Sequence, residues 1–221
     1  VKNWFLVNEQ QLAYRFNNGV PNQITWRLPE WHESDRTATG SIYVQDKWTR
    51  GRLTLQGALR YDRAWSFSPA EHNGTELTSK FNVAPITFER TAGVDSFNDI
   101  TPRFGAAYDV FGNGRTALKF NLGHYLDAAT NDSEYTSNSP ATRIVRTASR
   151  NWQDTNNNKI IDCDIMNFAA NGECAVLTGD AVNFGAVSGN VTQVNQATLT
   201  GWGVRQNDWQ WGITAQQELI P

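Results

Sequence analysis

The residues best suited to chemistry form one acidic, amide-rich run, DTNNNKIIDCD. Five of its side chains carry oxygen ligands at positions 1, 3, 5, 9 and 11 of a calcium-binding loop of the EF-hand type, and a backbone carbonyl falls at position 7. In chain order these residues are Asp154, Asn156, Asn158, Ile160 for the carbonyl, Asp162 and Asp164. The run departs from such loops because Lys159 replaces the glycine and Ile165 replaces the bidentate glutamate, although Glu173 could return to that position. Two interpretations stay open: a bound Ca²⁺, and an Asx-rich turn whose side chains satisfy their own backbone.

The only two cysteines, Cys163 and Cys174, belong to the same polar stretch. Their spacing is not that of a CxxC metal or redox motif, and such a polar stretch is expected at the surface. We therefore predict a disulfide within the loop, formed in an oxidising compartment. Closing so small a loop stabilises the folded chain by about 2–3 kcal/mol in the chain-entropy model.

Catalytic groups are otherwise scarce in this sequence. The three histidines, His32, His72 and His124, stand far apart and form no HxxxH-type zinc pair. No serine has the GxSxG context of a nucleophile elbow, and Ser188 lies in VSGN. We therefore expect a protein that is not an enzyme, with Ca²⁺ in the 154–164 loop as its one candidate cofactor.

Two segments indicate the architecture that must position these residues: IYVQDKWTRGRLTLQGALRYDRAW from Ile42 to Trp65, and PRFGAAYDVFGNGRTALKFNLGHYL from Pro102 to Leu126. Each contains two runs with two-residue alternation, joined by a short glycine-containing turn and followed by a long polar stretch. Short turns that alternate with long loops are typical of outer-membrane β-barrels, whose periplasmic turns are tight and whose extracellular loops are extended.

Successive side chains of a strand point to opposite faces, so each alternating run divides into an apolar row and a polar row. The apolar rows of the two hairpins contain Leu53, Leu55, Leu59 and Tyr61, then Phe104, Ala106, Tyr108, Leu118, Phe120 and Leu122. We predict that these rows face lipid. The polar rows contain Arg60, Asp62, Arg103 and Lys119, which we predict to line the lumen of the barrel.

A soluble antiparallel sheet with one face on a core would show the same period. The membrane is favoured because runs of about 9–11 residues match a tilted transmembrane strand and exceed the usual length of about 5–6 residues in soluble sheets. Aromatic residues also stand near the strand ends, as in the aromatic girdles of barrels. No apolar run is long enough for a transmembrane helix, and a net charge of -3 gives no basic surface for nucleic acid.

We expect residues 1–221 to be part of one outer-membrane β-barrel domain. Strands or hairpins are expected at about 10–29, 41–65, 102–126 and 207–220, and extracellular loops at about 66–99 and 127–206. The last run, DWQWGITAQQELI, alternates like the others, and its partner strand would follow Pro221. The fold class is therefore predicted to be all-β: an open, curved antiparallel sheet of about seven long strands, cut from a larger transmembrane barrel.

Four segments in this order resemble the barrel of TonB-dependent outer-membrane receptors: IYVQDKWTRGRLTLQGALRYDRAW, ITPRFGAAYDVFGNGRTALKFNLGHYL, DTNNNKIIDCDIMNFAANGECA and WQWGITAQQELIP. The similarity is greatest to the Oar-like subgroup, which carries a carboxypeptidase-regulatory-like domain, and YRFNNGVPNQITW from Tyr14 to Trp26 also resembles that subgroup. The resemblance implies a barrel of about twenty-two strands, of which this chain would be an internal or C-terminal-half fragment. It places the plug domain, the TonB box and the regulatory domain outside this chain.

The resemblance implies a receptor that takes up an unidentified small-molecule, peptide or glycan ligand, energised by the TonB complex through regions outside this chain. The alternative is a non-transporting surface barrel, an adhesin or matrix-binding protein, whose loops only contact partners. Either protein would lie in the outer membrane of a Gram-negative-type cell, with lipid around its apolar face and its loops outside the cell. Neither would bind nucleic acid.

Overall fold

The computed structural model describes residues 1–74, 77, 79–81, 83–190, 192 and 194–219, and this part of the chain is all-β. Its strands are β1 (Lys2–Val7), β2 (Leu12–Asn17), β3 (Val20–Arg27), β4 (Glu30–Arg50), β5 (Leu53–Ser68), β6 (Glu71–Asn73), β7 (Ile86–Phe88), β8 (Thr91–Ala92), β9 (Ser96–Asp109), β10 (Thr116–Leu126), β11 (Thr147–Asn151), β12 (Thr200–Trp202) and β13 (Asn207–Gln217). Short 3₁₀ turns occur at Ser133–Tyr135, Pro140–Arg143, Gly179–Asn183 and Gln196–Thr198. Within the described residues, no helix has the length and apolar character needed to cross a membrane.

The chain forms two compact units. The strand unit consists of Thr37–Ser66, Gly93–Ser137 and Val194–Pro221. The loop unit consists of Val1–Arg36, Phe67–Ala92 and Asn138–Gln193.

The strand unit is an antiparallel sheet in which β4, β5, β9, β10 and β13 follow one another. β5 and β9 pair from Leu53 opposite Tyr108 to Ala64 opposite Phe97. β10 and β13 pair over their full lengths, and the short β12 adds a parallel pairing to the start of β9. The predicted fold class, all-β with an open, curved antiparallel sheet, is confirmed.

Tight turns join consecutive strands at one end of this sheet. The turn between β4 and β5 contains Gly51, with a φ of +57°. Between β9 and β10, the carboxylate of Asp109 accepts the backbone N–H groups of Gly112 at 2.9 Å and Gly114 at 2.8 Å. Both glycines have positive φ, which a side chain would disfavour. These turns fix the strand register because they leave no slack between the paired strands.

Alternation gives the sheet of the strand unit two unlike faces. On one face large apolar side chains are exposed, among them Phe104, Phe120, Trp211 and Ile213, the last two by 69% and 70%. The register sets them side by side, since Leu122 lies opposite Phe104 on β9 and opposite Trp211 on β13. A contiguous apolar surface of this kind is unfavourable in water and favourable in lipid. It is the apolar row that the sequence predicted.

The loop unit has sheets and a core of its own. β2, β3 and β11 form a three-stranded antiparallel sheet, β6 pairs with β7, and β1 pairs with the first residues of β4. The core joins residues that are far apart in sequence: Ile24, Trp26, Leu28, Trp31, Phe81, Ala141, Ile144, Ala148, Trp152, Cys174, Leu177 and Phe184. Much of the sequence predicted as extended loop therefore belongs to a folded body.

Several predicted boundaries differ from the structure. A hairpin forms within 10–29, but its second strand, β3, pairs with β11 in the loop unit, because Ile24 and Trp26 bury their apolar row in a protein core. β4 and β9 begin before the predicted positions 41 and 102, at Glu30 and Ser96, since backbone pairing continues beyond the apolar rows. The predicted loops contain β6, β7, β8, β11 and β12. Some predicted positions lie outside the described residues. They are 75, 76, 78 and 82 in the first loop, 191 and 193 in the second, and 220 at the predicted end of the last strand.

The two faces of the sheet predict opposite tolerance to charge. We expect Leu55→Arg to destabilise the protein in a bilayer by about 2–4 kcal/mol, because the guanidinium would enter the hydrocarbon region. Gln56→Arg, on the next residue and the polar face, should change the free energy of unfolding by about 0.5 kcal/mol or less. Urea unfolding of the full-length protein in lipid vesicles, followed by tryptophan fluorescence, measures both values. Equal losses would contradict the assignment of the apolar face to lipid.

Candidate functional site

The polar face of the strand unit carries the four charged residues predicted to line the lumen. Arg60 and Asp62 on β5 form an ion pair, in which Nη2 of Arg60 lies 2.7 Å from Oδ1 of Asp62 and its Nε–H donates to the same oxygen at 3.0 Å. Lys119 on β10 donates from Nζ to Oε1 of Gln216 on β13 at 2.7 Å. The fourth, Arg103, lies opposite Ala58 in the β5–β9 pair and so shares the face of Arg60.

Arg103 stacks on an aromatic ring. Its guanidinium carbon lies 4.8 Å from the centre of the Tyr125 ring, a cation–π arrangement. Gly123, opposite Arg103 in the β9–β10 pair, provides the space for this ring. A Cβ at position 123 would come within 2.7 Å of the Tyr125 ring. The glycine therefore allows the tyrosine to lie across the sheet and hold the plane of the guanidinium.

A cavity of about 160 Å³ brings three of the four predicted residues together. Arg60, Asp62 and Arg103 line it with Thr101, Tyr125, Asp127 and Arg205. A larger groove of about 820 Å³ shares Arg103 and Tyr125 and is also lined by Gln45, Lys47, Gln56, Asn121 and Gln210. The polar face therefore combines guanidinium, carboxylate and amide groups in one concave surface, with Lys119 outside the cavity.

Asp99 and Arg205 are among the charged residues here that sequence reasoning missed. Asp99 lies opposite Asp62 in the β5–β9 pair and is buried. Arg205 is only 8% exposed and donates from Nη2 to the backbone carbonyl of Asp127. Asp99 could have been found by continuing the alternation of β9 toward its first residue. Arg205 gave no such signal, because it lies in the irregular segment between β12 and β13.

Segments outside the strands cover the polar face near this cavity. Ala64 and Phe97, which continue the polar rows of β5 and β9, pack with Val94, Tyr135 and Leu199 in a small buried cluster. The hydroxyl of Ser66 donates to the carbonyl of Tyr135 at 2.7 Å and accepts the N–H of Val94 at 2.8 Å. The polar face is thus covered at the end of the sheet away from the tight turns.

Aromatic side chains mark the same end of the apolar face. The ring of His124 stacks on Trp209 with centres 4.6 Å apart and planes 12° apart. Its two nitrogens lie 3.2 Å from the carbonyl of Ile100 and 3.0 Å from Oδ1 of Asn207. Tyr61 donates its hydroxyl to Oδ1 of Asn98 at 2.7 Å, and its ring contacts Trp202. Rings with one apolar side and one polar tip are suited to the membrane–water boundary.

Comparison with known families agrees with this two-faced sheet. The sequence model of the family described as an outer membrane beta barrel domain matches residues 9–221. This chain belongs to that family. The barrel domain is accordingly assigned to the outer membrane. Searches of curated proteins and of solved structures returned no match.

The predicted disulfide of the barrel domain is present in the loop unit, where Cys163 and Cys174 are bonded with their Cα atoms 5.9 Å apart. A buried guanidinium organises the loop that they close. Arg150 on β11 donates to the carbonyls of Asn167 at 2.8 Å and Asp164 at 2.9 Å, and lies 3.4 Å from Sγ of Cys163. The disulfide is therefore joined to the core of the loop unit and does not stand free at a surface tip.

The predicted calcium ligands form a network of turns. The carboxylate of Asp154 accepts the N–H groups of Asn158 and Lys159, at 3.2 and 2.9 Å. Asp162 accepts the side-chain amides of Asn156 and Asn158 at 2.6 and 2.9 Å. Ile160 donates its N–H to Asn158, so its carbonyl is the group that a cation would use. Asp164 caps a separate turn by accepting the N–H of the residue two positions later.

These contacts match the Asx-turn interpretation, and the described residues contain no group of three or more His, Cys, Asp or Glu side chains arranged to hold a metal. Glu173, which could have completed a calcium site, is used elsewhere. Its carboxylate accepts the indole N–H of Trp152 at 3.0 Å and the N–H and hydroxyl of Thr155 at 2.6 and 2.8 Å. The hydrogen bonds from Trp152 and Thr155 lower the pKa of Glu173 to about 2. Calcium binding stays a prediction.

We expect the 154–164 turn to form without a cation, because the amide oxygens of Asn156 and Asn158 already accept the N–H groups of Asn158 and Ile160. The melting temperature of the protein should then be the same in EGTA and in millimolar Ca²⁺. Asp162→Asn should lower it by about 2–4 °C in both buffers, through loss of one amide contact worth about 1 kcal/mol. A rise with Ca²⁺ in the parent protein that Asp162→Asn abolishes would instead establish the calcium site.

Proposed function

We propose that this barrel domain is part of a TonB-dependent receptor of the Oar-like subgroup, which takes up a polar ligand across the outer membrane. The observation that carries the proposal is the convergence of Arg60, Asp62, Arg103 and Arg205 on one cavity of the polar face. Charged groups are costly to desolvate, so a barrel that only anchored surface loops would gain little from assembling them there. In a lumen they attract and orient a ligand that carries charge or many hydrogen-bonding groups.

In this proposal the ligand is a small molecule, peptide or glycan that binds on the polar face. The amides of Gln56, Asn121 and Gln210 supply both donors and acceptors along the groove, and Arg103 supplies a rigid donor. A plug domain and a TonB box in other parts of the full-length protein would couple ligand entry to the TonB complex. These side chains bind and orient, and no bond is made or broken, so the proposed role is not enzymatic.

A second candidate is a non-transporting surface barrel, an adhesin or matrix-binding protein. One observation favours it: the loop unit is a folded body that presents exposed aromatic rings. Tyr14 and Phe16 on β2 are more than two-fifths exposed and pack edge-on against the buried Trp152, at 5.3 and 6.2 Å between ring centres. Rigid aromatic rings of this kind are common at binding surfaces.

An uptake assay distinguishes the two candidates. Cells that make the full-length protein are given a tryptic peptide digest and a mixture of oligosaccharides, and mass spectrometry follows the disappearance of each solute from the medium. A transporter should remove specific solutes, and a protonophore should stop this because it dissipates the gradient that energises TonB. Arg103→Ala should slow removal by about tenfold, the effect of losing one charged hydrogen bond of about 1.5 kcal/mol.

The control for this assay is Lys119→Ala, which removes a charge from the same face but outside the cavity. It should retain uptake. Solute capture that is insensitive to both the protonophore and Arg103→Ala would favour the surface barrel and overturn the transport proposal.

We also propose that the tight turns face the periplasm and that the loops at about 66–99 and 127–206 are extracellular. Cys163 and Cys174 are joined in a disulfide, so neither competes with an introduced thiol for the label. On intact cells, Gly189→Cys should react with an impermeant maleimide and Asn113→Cys, in the β9–β10 turn, should not. Permeabilised cells should label at both positions, which controls for thiol reactivity. The reverse pattern on intact cells would invert the proposed orientation.

A further inference from the structure

In the loop unit, β6 is joined to β4 by side chains and not by a backbone ladder. The amide of Asn73 is bidentate to the backbone of His32: its oxygen accepts the N–H at 2.6 Å and its nitrogen donates to the carbonyl at 3.1 Å. Two residues further along β4, the N–H of Ser34 donates to Oε2 of Glu71 at 2.9 Å. β6 therefore takes the place of a neighbouring strand along this edge of β4, and Glu71 and Asn73 both attach it there.

The Glu71 carboxyl belongs to a cluster with two others from β4. Glu33 and Asp35 are 2% and 1% exposed, respectively. Lys2 from β1 supplies positive charge, with Nζ 2.5 Å from Oε1 of Glu33, and the hydroxyl of Ser68 donates to Oδ1 of Asp35 at 2.7 Å. If all three carboxyls were ionised, the two buried charges of Glu33 and Asp35 and the half-buried charge of Glu71 would face one ammonium group. Desolvation and mutual repulsion therefore favour protonation of Glu33 and Glu71.

The other ionisable groups of these strands, Arg36, Glu30, His32 and His72, have partners of their own. Arg36 donates to the backbone carbonyls of Lys2 and Asp35 and to Oδ1 of Asn3. The ring of His32 packs on Phe5 at 4.2 Å between centres and lies 6.1 Å from the ring of His72. Since His32 alternates with Glu33 along β4, the two side chains point to opposite faces of the strand.

The same environment changes the affinity of Glu71 for protons. Burial, the largest cause, raises the pKa of Glu71, the charges of Asp35 and Glu33 also raise it, and the N–H groups of Ser34 and Ala141 lower it, so that the pKa is about 7. Burial also raises the pKa of Glu33. The pKa of Glu71 is 4.5 in the absence of these effects. A raised carboxyl pKa means that the contribution to stability is complete below about pH 4.5 and is lost as the pH rises through about 7.

We propose that the cluster of Glu71, Glu33 and Asp35 is a proton-dependent clamp, which holds β6 against β4 in mildly acidic surroundings and releases it as the medium becomes alkaline. The protonated Glu71 keeps an oxygen acceptor for Ser34 without adding a charge beside Asp35. Once ionised, it is repelled by the neighbouring carboxylates and gains by moving into water. The device acts on the loop unit and does not depend on whether the barrel transports a ligand.

Hydrogen exchange tests the clamp in the full-length protein reconstituted in lipid vesicles. Mass spectrometry follows peptides that cover residues 30–36 and 71–73 at about pH 5.5 and about pH 8.5, with rates corrected for the intrinsic pH dependence of amide exchange. We expect protection of the Ser34 and His32 amides to fall by about tenfold or more between the two pH values, with a midpoint near 7. Equal protection at both pH values would overturn the proposal.

Variants assign the transition to the cluster. Glu71→Gln keeps the oxygen acceptor and removes the charge, so protection should be high at both pH values. Asp35→Asn removes one repelling charge and should move the midpoint to lower pH, which keeps the test decisive if Glu71→Gln folds poorly. Glu173→Gln, a carboxylate that stays ionised throughout this range, is the matched control and should leave the transition unchanged. A transition that survives Glu71→Gln but disappears in His72→Gln would belong to the histidines and overturn the clamp.

Discussion

The strand register is the constraint on which the rest of the barrel domain depends. In a membrane every backbone N–H and C=O must be paired within the sheet, and the pairing also decides which side chains face lipid. Arg103 lies between Ala58 and Gly123 in adjacent strands, while the next residue, Phe104, lies between Gly57 and Leu122. A slip of one residue would send the guanidinium into lipid and the phenyl ring into the polar cavity. The tight turns at Gly51 and Gly112–Gly114 exclude that slip.

Glycines, which have no side chain, shape the polar face as much as its polar side chains do. A Cβ at Gly105 would come within 2.6 Å of the Gln56 side chain, and one at Gly212 would come within 3.0 Å of Asn121. With Gly123 beneath Tyr125, these positions form a band of glycines across β9, β10 and β13 on which long polar side chains lie flat. The groove obtains its depth in this way, because its lining amides and aromatic ring lie across the sheet and do not project from it.

Two-residue alternation correctly predicted the strands that have one apolar and one polar face. It did not predict whether the apolar face contacts lipid or protein. β5, β9, β10 and β13 were predicted because their apolar rows are long and uninterrupted. The hairpin containing Ile24 and Trp26 has the same period, yet its apolar row is covered by protein, and a period-2 pattern does not distinguish a lipid neighbour from a protein one. The core residues Trp152, Leu177 and Phe184 come from segments with little or no regular structure. No periodic sequence pattern therefore predicts that they are buried. Arg205 was missed for the same reason.

The wide sequence separation within the loop unit has a consequence for the order of assembly. β3 is completed by β11, and the hydroxyls that join them, those of Thr25 and Ser149, are 2.7 Å apart in space and 124 residues apart in sequence. Closing so long a loop is entropically costly and slow, and the stabilising contacts form only when β11 reaches β3. Until then the side chains of Ile24 and Trp26 are exposed to solvent. An incompletely assembled chain would thus expose an apolar hairpin that is prone to aggregation, and this exposure would end only when β11 pairs with β3.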